Sequence, residues 1–228
     1  NGGVYFLPKD IFDLFETEQN FSLEKDVFTY LNQNNPAFVI VSDGFFVDIG
    51  ASDGVTASNT YLLEKFYKWQ GICVDPNPVT LKSMCGARDT IVSDLCVYKE
   101  SGKILPFKYL GDQSEFYGWN LRSGIDGLVS KDMPVKMNDH KVFTITLTDL
   151  LELYNAPNKI DYISIDVEGS EIEVLTGLDF SKYDVKMFSI EYENEENRAK
   201  IDWIMSRNNY NRVDFDQQCT EDRYIKNG

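Results

Sequence analysis

Short apolar runs alternate with amphipathic stretches along most of the chain. "FVIV" (38–41) and "FFVDI" (45–49) flank the turn Ser42-Asp43-Gly44. The second run is apolar on both faces and precedes a glycine, so it reads as a buried parallel strand. In "SNTYLLEKFYKWQ" the residues Leu62, Phe66 and Trp69 recur at i, i+4, i+7, which predicts a helix that stops at Gly71. "ICVD" (72–75) is the next buried strand and also ends in an acid. "TIVSD" (90–94), "YISID" (162–166) and "MFSIEYE" (187–193) continue the series. "TLTDLLELY" and "EGSEIEVLTGL" form helices on either side of "YISID", the second with Ile172, Leu175 and Leu178 on one face and Gly177 near its end. Upstream, Ser22 caps a helical stripe of Leu23, Val27 and Leu31, so residues 1–40 read as a helical lead-in.

Strand, glycine turn, helix and strand make a βαβ unit. Its repetition predicts one α/β domain over 1–228, built on a doubly wound, mostly parallel sheet with helices on both faces. Between residues 96 and 141 the pattern breaks. "CVYKESGKILPF" suggests a hairpin, and the irregular segment after it has the length of a functional or mobile loop.

In such a sheet, ligands lie beyond the carboxyl ends of the strands, where Asp48, Gly50, Asp53 and Gly54 would stand. Glycines there let a ligand approach the backbone, and the following helix offers free N–H groups. Asp75, ending the next strand, can accept both hydroxyls of a ribose. Two acids at successive strand ends therefore point to a nucleoside. The dinucleotide pattern G-x-G-x-x-G is absent. D-I-G-A-S-D-G puts Asp53 in the turn, which repels a pyrophosphate but tolerates the cationic groups of S-adenosylmethionine.

Composition narrows the partners. With 37 acidic and 22 basic residues the net charge is -15, which argues against a nucleic-acid partner. No segment approaches the ~20 apolar residues of a membrane span. Cys73, Cys85, Cys96 and Cys219 form no C-x-x-C pair, and Cys73 sits in an apolar run. This favours reduced thiols in a soluble, cytoplasmic protein. The chain opens without Met, as an excised domain or an artificially trimmed chain would.

"VDIGASDGVTASNTYLLEK", "GICVDPNP" and "DYISIDVEGSEIEVLTGL" resemble, in order and spacing, the successive motifs of FkbM-type S-adenosylmethionine-dependent methyltransferases, and "EDRYIKNG" is similar to that family's closing strand. The resemblance covers about 43–193. It implies the class I, Rossmann-like methyltransferase fold with a seven-stranded sheet, and O-methylation, often of a sugar hydroxyl. A glycan deoxyhexose such as rhamnose is the acceptor we expect from it, and the chain could be one domain of a larger glycan-modifying protein. By the same resemblance Asp48, Gly50, Ala51, Ser52 and Gly54 line the methionine end of the cofactor, with Ser58, Asn59 and Thr60 nearby. Asp75 would hold the ribose, Pro76 and Asn77 the adenine side, and Ser93 and Asp94 would meet adenine.

Methyl transfer from a sulfonium needs alignment and removal of the acceptor's proton. Asp166 ends one core strand, Glu191 lies in the next, and Glu168 and Glu171 share a helix face, so these acids can converge. Asp166 is the first choice as base or metal ligand, supported by Glu168 and Glu191. Asp166 and Glu191 could hold Mg²⁺, although no spacing dictates it. Glu171 could equally serve its helix N-terminus. His140 is the second choice of base. In the irregular segment, the rings of Phe116, Tyr117 and Trp119 with Asn120 and Arg122 suit the face of a sugar. A non-catalytic nucleoside-binding module and, less well, a nicotinamide-dependent oxidoreductase share the architecture and stay open as alternatives.

Overall fold

The computed structural model describes residues 43–109, 123–128, 137–213 and 220–227. In chain order its elements are β1 (Phe45–Ile49), α1 (Tyr61–Lys65), β2 (Gln70–Val74), α2 (Pro78–Ala87), β3 (Ile91–Ser93), β4 (Cys96–Val97), β5 (Ile104–Tyr109), β6 (Gly124–Ile125) and β7 (Asn138–Ile145). They continue with α3 (Leu147–Leu153), β8 (Lys159–Ile165), α4 (Glu171–Thr176), β9 (Asp184–Glu191), α5 (Glu195–Arg207), β10 (Tyr210–Val213) and β11 (Glu221–Lys226).

The apolar runs become the centre of a seven-stranded sheet of order β10-β11-β9-β8-β1-β2-β3. The strands from β3 to β9 pair in parallel, whereas β11 runs antiparallel to both β9 and β10. Each central strand presents two apolar faces because helices cover both. On one face Val47, Ile49, Ile163, Ile165, Phe188 and Ile190 pack with Leu147 and Leu151 of α3, Val174 and Leu175 of α4, and Ile201 and Met205 of α5. On the other, Phe46, Cys73 and Tyr162 meet Trp69, Leu63 of α1 and Met84 of α2. At about 25 cal/mol per Å² of apolar surface removed from water, these two layers dominate the stabilising side of folding.

Several local expectations change. The helix after β1 is one and a half turns, not three: it ends at Lys65, Lys68 adopts a left-handed backbone, and Phe66 is 56% exposed while Trp69 is buried. Gly71 does not stop that helix. It lies within β2 opposite Phe46, whose ring would stand 2.6 Å from any Cβ placed there. The segment 96–109 is not a closed hairpin either, because β7 runs between its arms in a second sheet of order β4-β7-β5-β6. Thr144 of β7 holds both arms, donating to the Glu100 carbonyl at 2.6 Å and accepting from the Lys103 N–H at 3.0 Å. The 1–40 lead-in and the "FVIV" strand lie outside the described residues.

Candidate functional site

Asp48, Gly50, Asp75, Asp166 and Glu191 come together along the carboxyl edge of β1, β2, β8 and β9. Gly50 and Ala51 leave β1 with their N–H groups on the Val74 carbonyl, at 2.9 and 3.1 Å. Gly50 has φ 83°, and a Cβ there would lie 1.6 Å from the Asp166 carbonyl oxygen. Glycine is thus required because the turn after β1 lies directly against the turn after β8. The body that approaches it closely is the chain's own backbone.

The turn is held from below. Asp48 is buried and accepts from the Thr60 hydroxyl at 2.5 Å and the Ser58 hydroxyl at 3.2 Å. Burial raises its pKa, and those hydroxyls and Arg88 pull it back. Asp48, Ser58 and Thr60 therefore support the turn from beneath. Asp53 also serves its own loop, with its carboxylate accepting from the N–H groups of Val55 and Thr56 at 2.8 and 2.7 Å. Ser52 takes a left-handed φ of 49°, a conformation costing about 1–2 kcal/mol. Its N–H donates to Asp75 at 2.8 Å, and a bond to a carboxylate contributes about 1.5–3 kcal/mol, enough to offset that strain.

Asp75 is the junction between the two turns. Its second oxygen accepts from the Asn77 N–H at 2.8 Å and the Thr80 hydroxyl at 3.3 Å. Burial pushes its pKa up to about 6 despite these donors. A carboxylate offers about four acceptor directions, so three protein donors leave room for a ligand hydroxyl. Asn77 caps α2 through the Val79 N–H at 3.0 Å, and its amide reaches Ser123 at 3.3 Å. Pro76 is half-buried, Ser93 is buried with its carbonyl on the Asp75 N–H at 3.0 Å, and Asp94 is exposed.

Across the edge, one oxygen from each of Asp166, Glu168 and Glu191 lies within 4.8 Å of the others. At an effective dielectric of about 20, two full charges at that separation repel by roughly 3–4 kcal/mol. The cluster cannot hold three free carboxylates without a cation or a proton. Burial first, then Asp166, drives the pKa of Glu191 up to about 10, and its protonated carboxyl shares a hydrogen bond with Asp166. Oε2 of Glu191 and Oε2 of Glu171 are buried with no hydrogen-bond partner. Glu171 is 1% exposed, with its pKa pushed up to about 7 by burial. Its Oε1 accepts from the N–H groups of Val167 and Gly169, at 3.3 and 3.0 Å, and so shapes the turn that presents Asp166 and Glu168. These bonds belong to the turn that leads into α4.

His140 is placed elsewhere: it is exposed in β7 of the second sheet, opposite Phe107 and edge-on to Tyr109 at 6.1 Å, and does not join the acids. That is a strand, not the irregular loop expected from sequence. Tyr117, Trp119, Asn120 and Arg122 lie outside the described residues. The described part of their segment nevertheless touches both halves of the site. Ser123 meets Asn77, and the Leu128 carbonyl would stand 2.9 Å from a Cβ on Gly169.

Two groups escaped the sequence reading. Glu221 of β11 is the direct cross-strand neighbour of Glu191, and its carboxylate meets the Asn59 amide at 3.4–3.5 Å while Asn59 also donates to Ser164 at 3.1 Å. Arg88, fully buried, and its partner Glu64 wrap the far end of the glycine turn. Neither pair shows a local spacing that sequence could reveal, since Arg88 and Gly54 are 34 residues apart.

Residues 48–214 match the family model described as the methyltransferase FkbM domain. No curated protein matches the chain's sequence. Among solved structures, the chain is similar to a methyltransferase FkbM from Methylobacillus flagellatus KT, at 14% identity and a TM-score of 0.51 over 87% of this chain and 47% of that one. It thus spans just under half of that protein. Weaker likenesses are to a precorrin-6y C5,15-methyltransferase from Geobacter metallireducens GS-15 (11% identity, TM-score 0.40, 93% of each chain) and to the N-terminal domain of human METTL16 (10%, 0.46, 92% of this chain and 72% of that one). No helix among the described residues is long and apolar enough to cross a membrane.

Proposed function

The chain belongs to the FkbM methyltransferase family, and from that premise we propose that it moves a methyl group from S-adenosylmethionine to a hydroxyl oxygen of a sugar, with a glycan deoxyhexose as the acceptor class. The observation that carries the reading is the contact between the two turns: the donor-side glycine turn and the backbone of Asp166 touch, so donor and base would meet at one point of the edge.

The chain's own groups divide the work. Gly50 to Gly54 form the wall against the methionine end, and Asp75 offers its remaining acceptor direction to a ribose hydroxyl. When bound, S-adenosylmethionine supplies an electrophilic methyl whose sulfonium sulfur keeps the bonding pair as the acceptor oxygen forms the new O–C bond. Asp166, exposed on that edge, accepts the hydroxyl proton released as this bond forms. Glu191, protonated beside it, keeps the two acids from repelling and orients Asp166. Segment 123–128, which meets Asn77 on one side and Gly169 of the turn after β8 on the other, is the wall nearest the acceptor.

The acids also fit a hard divalent cation. They offer an all-oxygen donor set within 4.8 Å, and one buried oxygen of Glu191 lacks any partner. Asp166, Glu168 and Glu191 would hold Mg²⁺, which lowers the pKa of a hydroxyl bound to it. The test is a panel of free and glycosidic sugars with radiolabelled S-adenosylmethionine, with Mg²⁺ and with EDTA. Label in a sugar ether supports the reading. Label in none of the panel, from a protein that binds S-adenosylhomocysteine, favours the nucleoside-binding module instead.

A further inference from the structure

We propose that Arg88 is a positioning residue for the methyl donor, acting through the Gly54 carbonyl. The inference rests on the donor reading above. Arg88 follows α2 directly, with an extended backbone, and its side chain is wholly buried. Nη1 donates to the Gly54 carbonyl at 2.9 Å and the Ser58 hydroxyl at 3.2 Å, Nη2 donates to the Thr60 hydroxyl at 2.9 Å, and Nε donates to Glu64 at 2.7 Å. The guanidinium also lies 5.3 Å from the centre of the Phe46 ring and 5.8 Å from that of Tyr61. One planar fork therefore ties residues 54, 58, 60 and 64 together.

The hydroxyls lock in one direction. Arginine can only donate, so Ser58 and Thr60 accept from Arg88, and each hydroxyl hydrogen is left to donate to Asp48. Gly54 has φ 78°, and a Cβ there would stand 2.9 Å from Arg88 Cγ, so its glycine makes room for this arm.

The same helix grips the other end of the turn. Asp75, held by the N–H of the α2 cap Asn77, accepts from the Ser52 N–H, while Arg88 at the end of α2 holds the Gly54 carbonyl, and the turn closes on itself through Gly54 N–H to the Ala51 carbonyl at 2.8 Å. With α2 as a strut, the turn is set before the donor arrives, and binding does not have to order it. Lysine cannot replace the fork, because a single ammonium cannot reach Gly54, Thr60 and Glu64 in one plane.

The test compares intact protein, Arg88→Lys and Glu64→Gln by calorimetric titration with S-adenosylhomocysteine and with adenosine, alongside melting temperature and hydrogen exchange of the amides of residues 52–60. Glu64→Gln weakens the outer contact and leaves those to Gly54 and Thr60. We expect Arg88→Lys to weaken S-adenosylhomocysteine at least tenfold, spare adenosine within threefold and speed turn-amide exchange at least tenfold. Glu64→Gln should lower the melting temperature and keep S-adenosylhomocysteine affinity within twofold. Arg88→Lys binding S-adenosylhomocysteine within twofold of the intact protein overturns the proposal, as does loss of both ligands in proportion to melting temperature in both variants. If Arg88→Lys does not fold, Thr60→Val replaces it, with a three- to tenfold loss of S-adenosylhomocysteine expected and an unchanged affinity overturning the idea. Failure of the intact protein to bind S-adenosylhomocysteine refutes the donor reading instead, and turn-amide exchange then still decides whether Arg88 holds the turn.

Discussion

Around the first two strand ends, buried carboxylates are surrounded by donors: Asp48 by two hydroxyls, Asp75 by two backbone N–H groups and a hydroxyl. Around the next two, Glu171 and Glu191 each keep a buried oxygen with no partner, and Glu191 is forced to hold a proton far above the usual carboxylate range. The two halves touch at Gly50 and Asp166, yet one is satisfied by protein and the other is not. A satisfied network fixes shape, which a cofactor pocket needs. An unsatisfied one stores a demand for a proton, a cation or a substrate hydroxyl, which is what chemistry at that spot would use.

Breaking the unsatisfied half should have the largest effect. Asp166→Asn removes the proposed proton acceptor and is expected to cut methyl transfer to an accepted sugar by about 100-fold or more while S-adenosylhomocysteine affinity stays within twofold, because a positioned base contributes roughly 10²–10⁴. Calorimetry and a labelled-methyl assay on the same preparation read both numbers. Breaking the satisfied half gives the converse. Asp75→Ala should weaken S-adenosylhomocysteine at least about tenfold, or about 1.4 kcal/mol.

The third test sharpens the contrast through pH. Asp75, Glu171 and Glu191 all have folded pKa values raised above their unfolded ones, to about 6, 7 and 10. A raised folded pKa means that the native state binds more protons, so this stability is full below the unfolded values and is lost as pH climbs through the folded ones. Asp75 loses its share between about pH 4 and 6, Glu171 between about 4.5 and 7, and Glu191 across the whole range to about 10. Ligand-free protein should therefore melt several degrees lower at pH 8 than at pH 5.5, and Glu191→Gln should flatten that slope. Mg²⁺ should restore melting temperature at pH 8 in the intact protein and not in Asp166→Asn. A slope of the opposite sign would mean that these acids are ionised in the native state. The smallest effect belongs to His140→Ala, expected to change transfer by no more than about twofold, since that residue is exposed in the other sheet.

What sequence could show follows from the range of the interactions. β1, β2, β8 and β9 were legible because a strand covered on both faces must be apolar throughout, and the acids at their ends stood out against that background. Thr146 before α3 was legible as part of a helical run for a local reason too, since its hydroxyl caps the Asp149 N–H at 3.1 Å. Helix α5 was not legible: its buried residues include only Ile201 and Met205 in a largely polar stretch. The pairing of β7 between β4 and β5 depends on Thr144 meeting residues about forty positions away. Gly71 looked like a helix stop because sequence shows where glycine occurs and not which ring stands over it. The acids that gather at the carboxyl edge could be singled out from sequence, but the long-range groups beside them, Arg88 and Glu221, could not.

The central claim is that the carboxyl edge around Asp48, Gly50 and Asp75 holds a methyl donor. Titration calorimetry of the intact protein with S-adenosylhomocysteine and, separately, with NAD tests it most directly. The account predicts saturable binding of S-adenosylhomocysteine at one site per chain and none of NAD. Binding of NAD in preference to S-adenosylhomocysteine, or of neither, would contradict it.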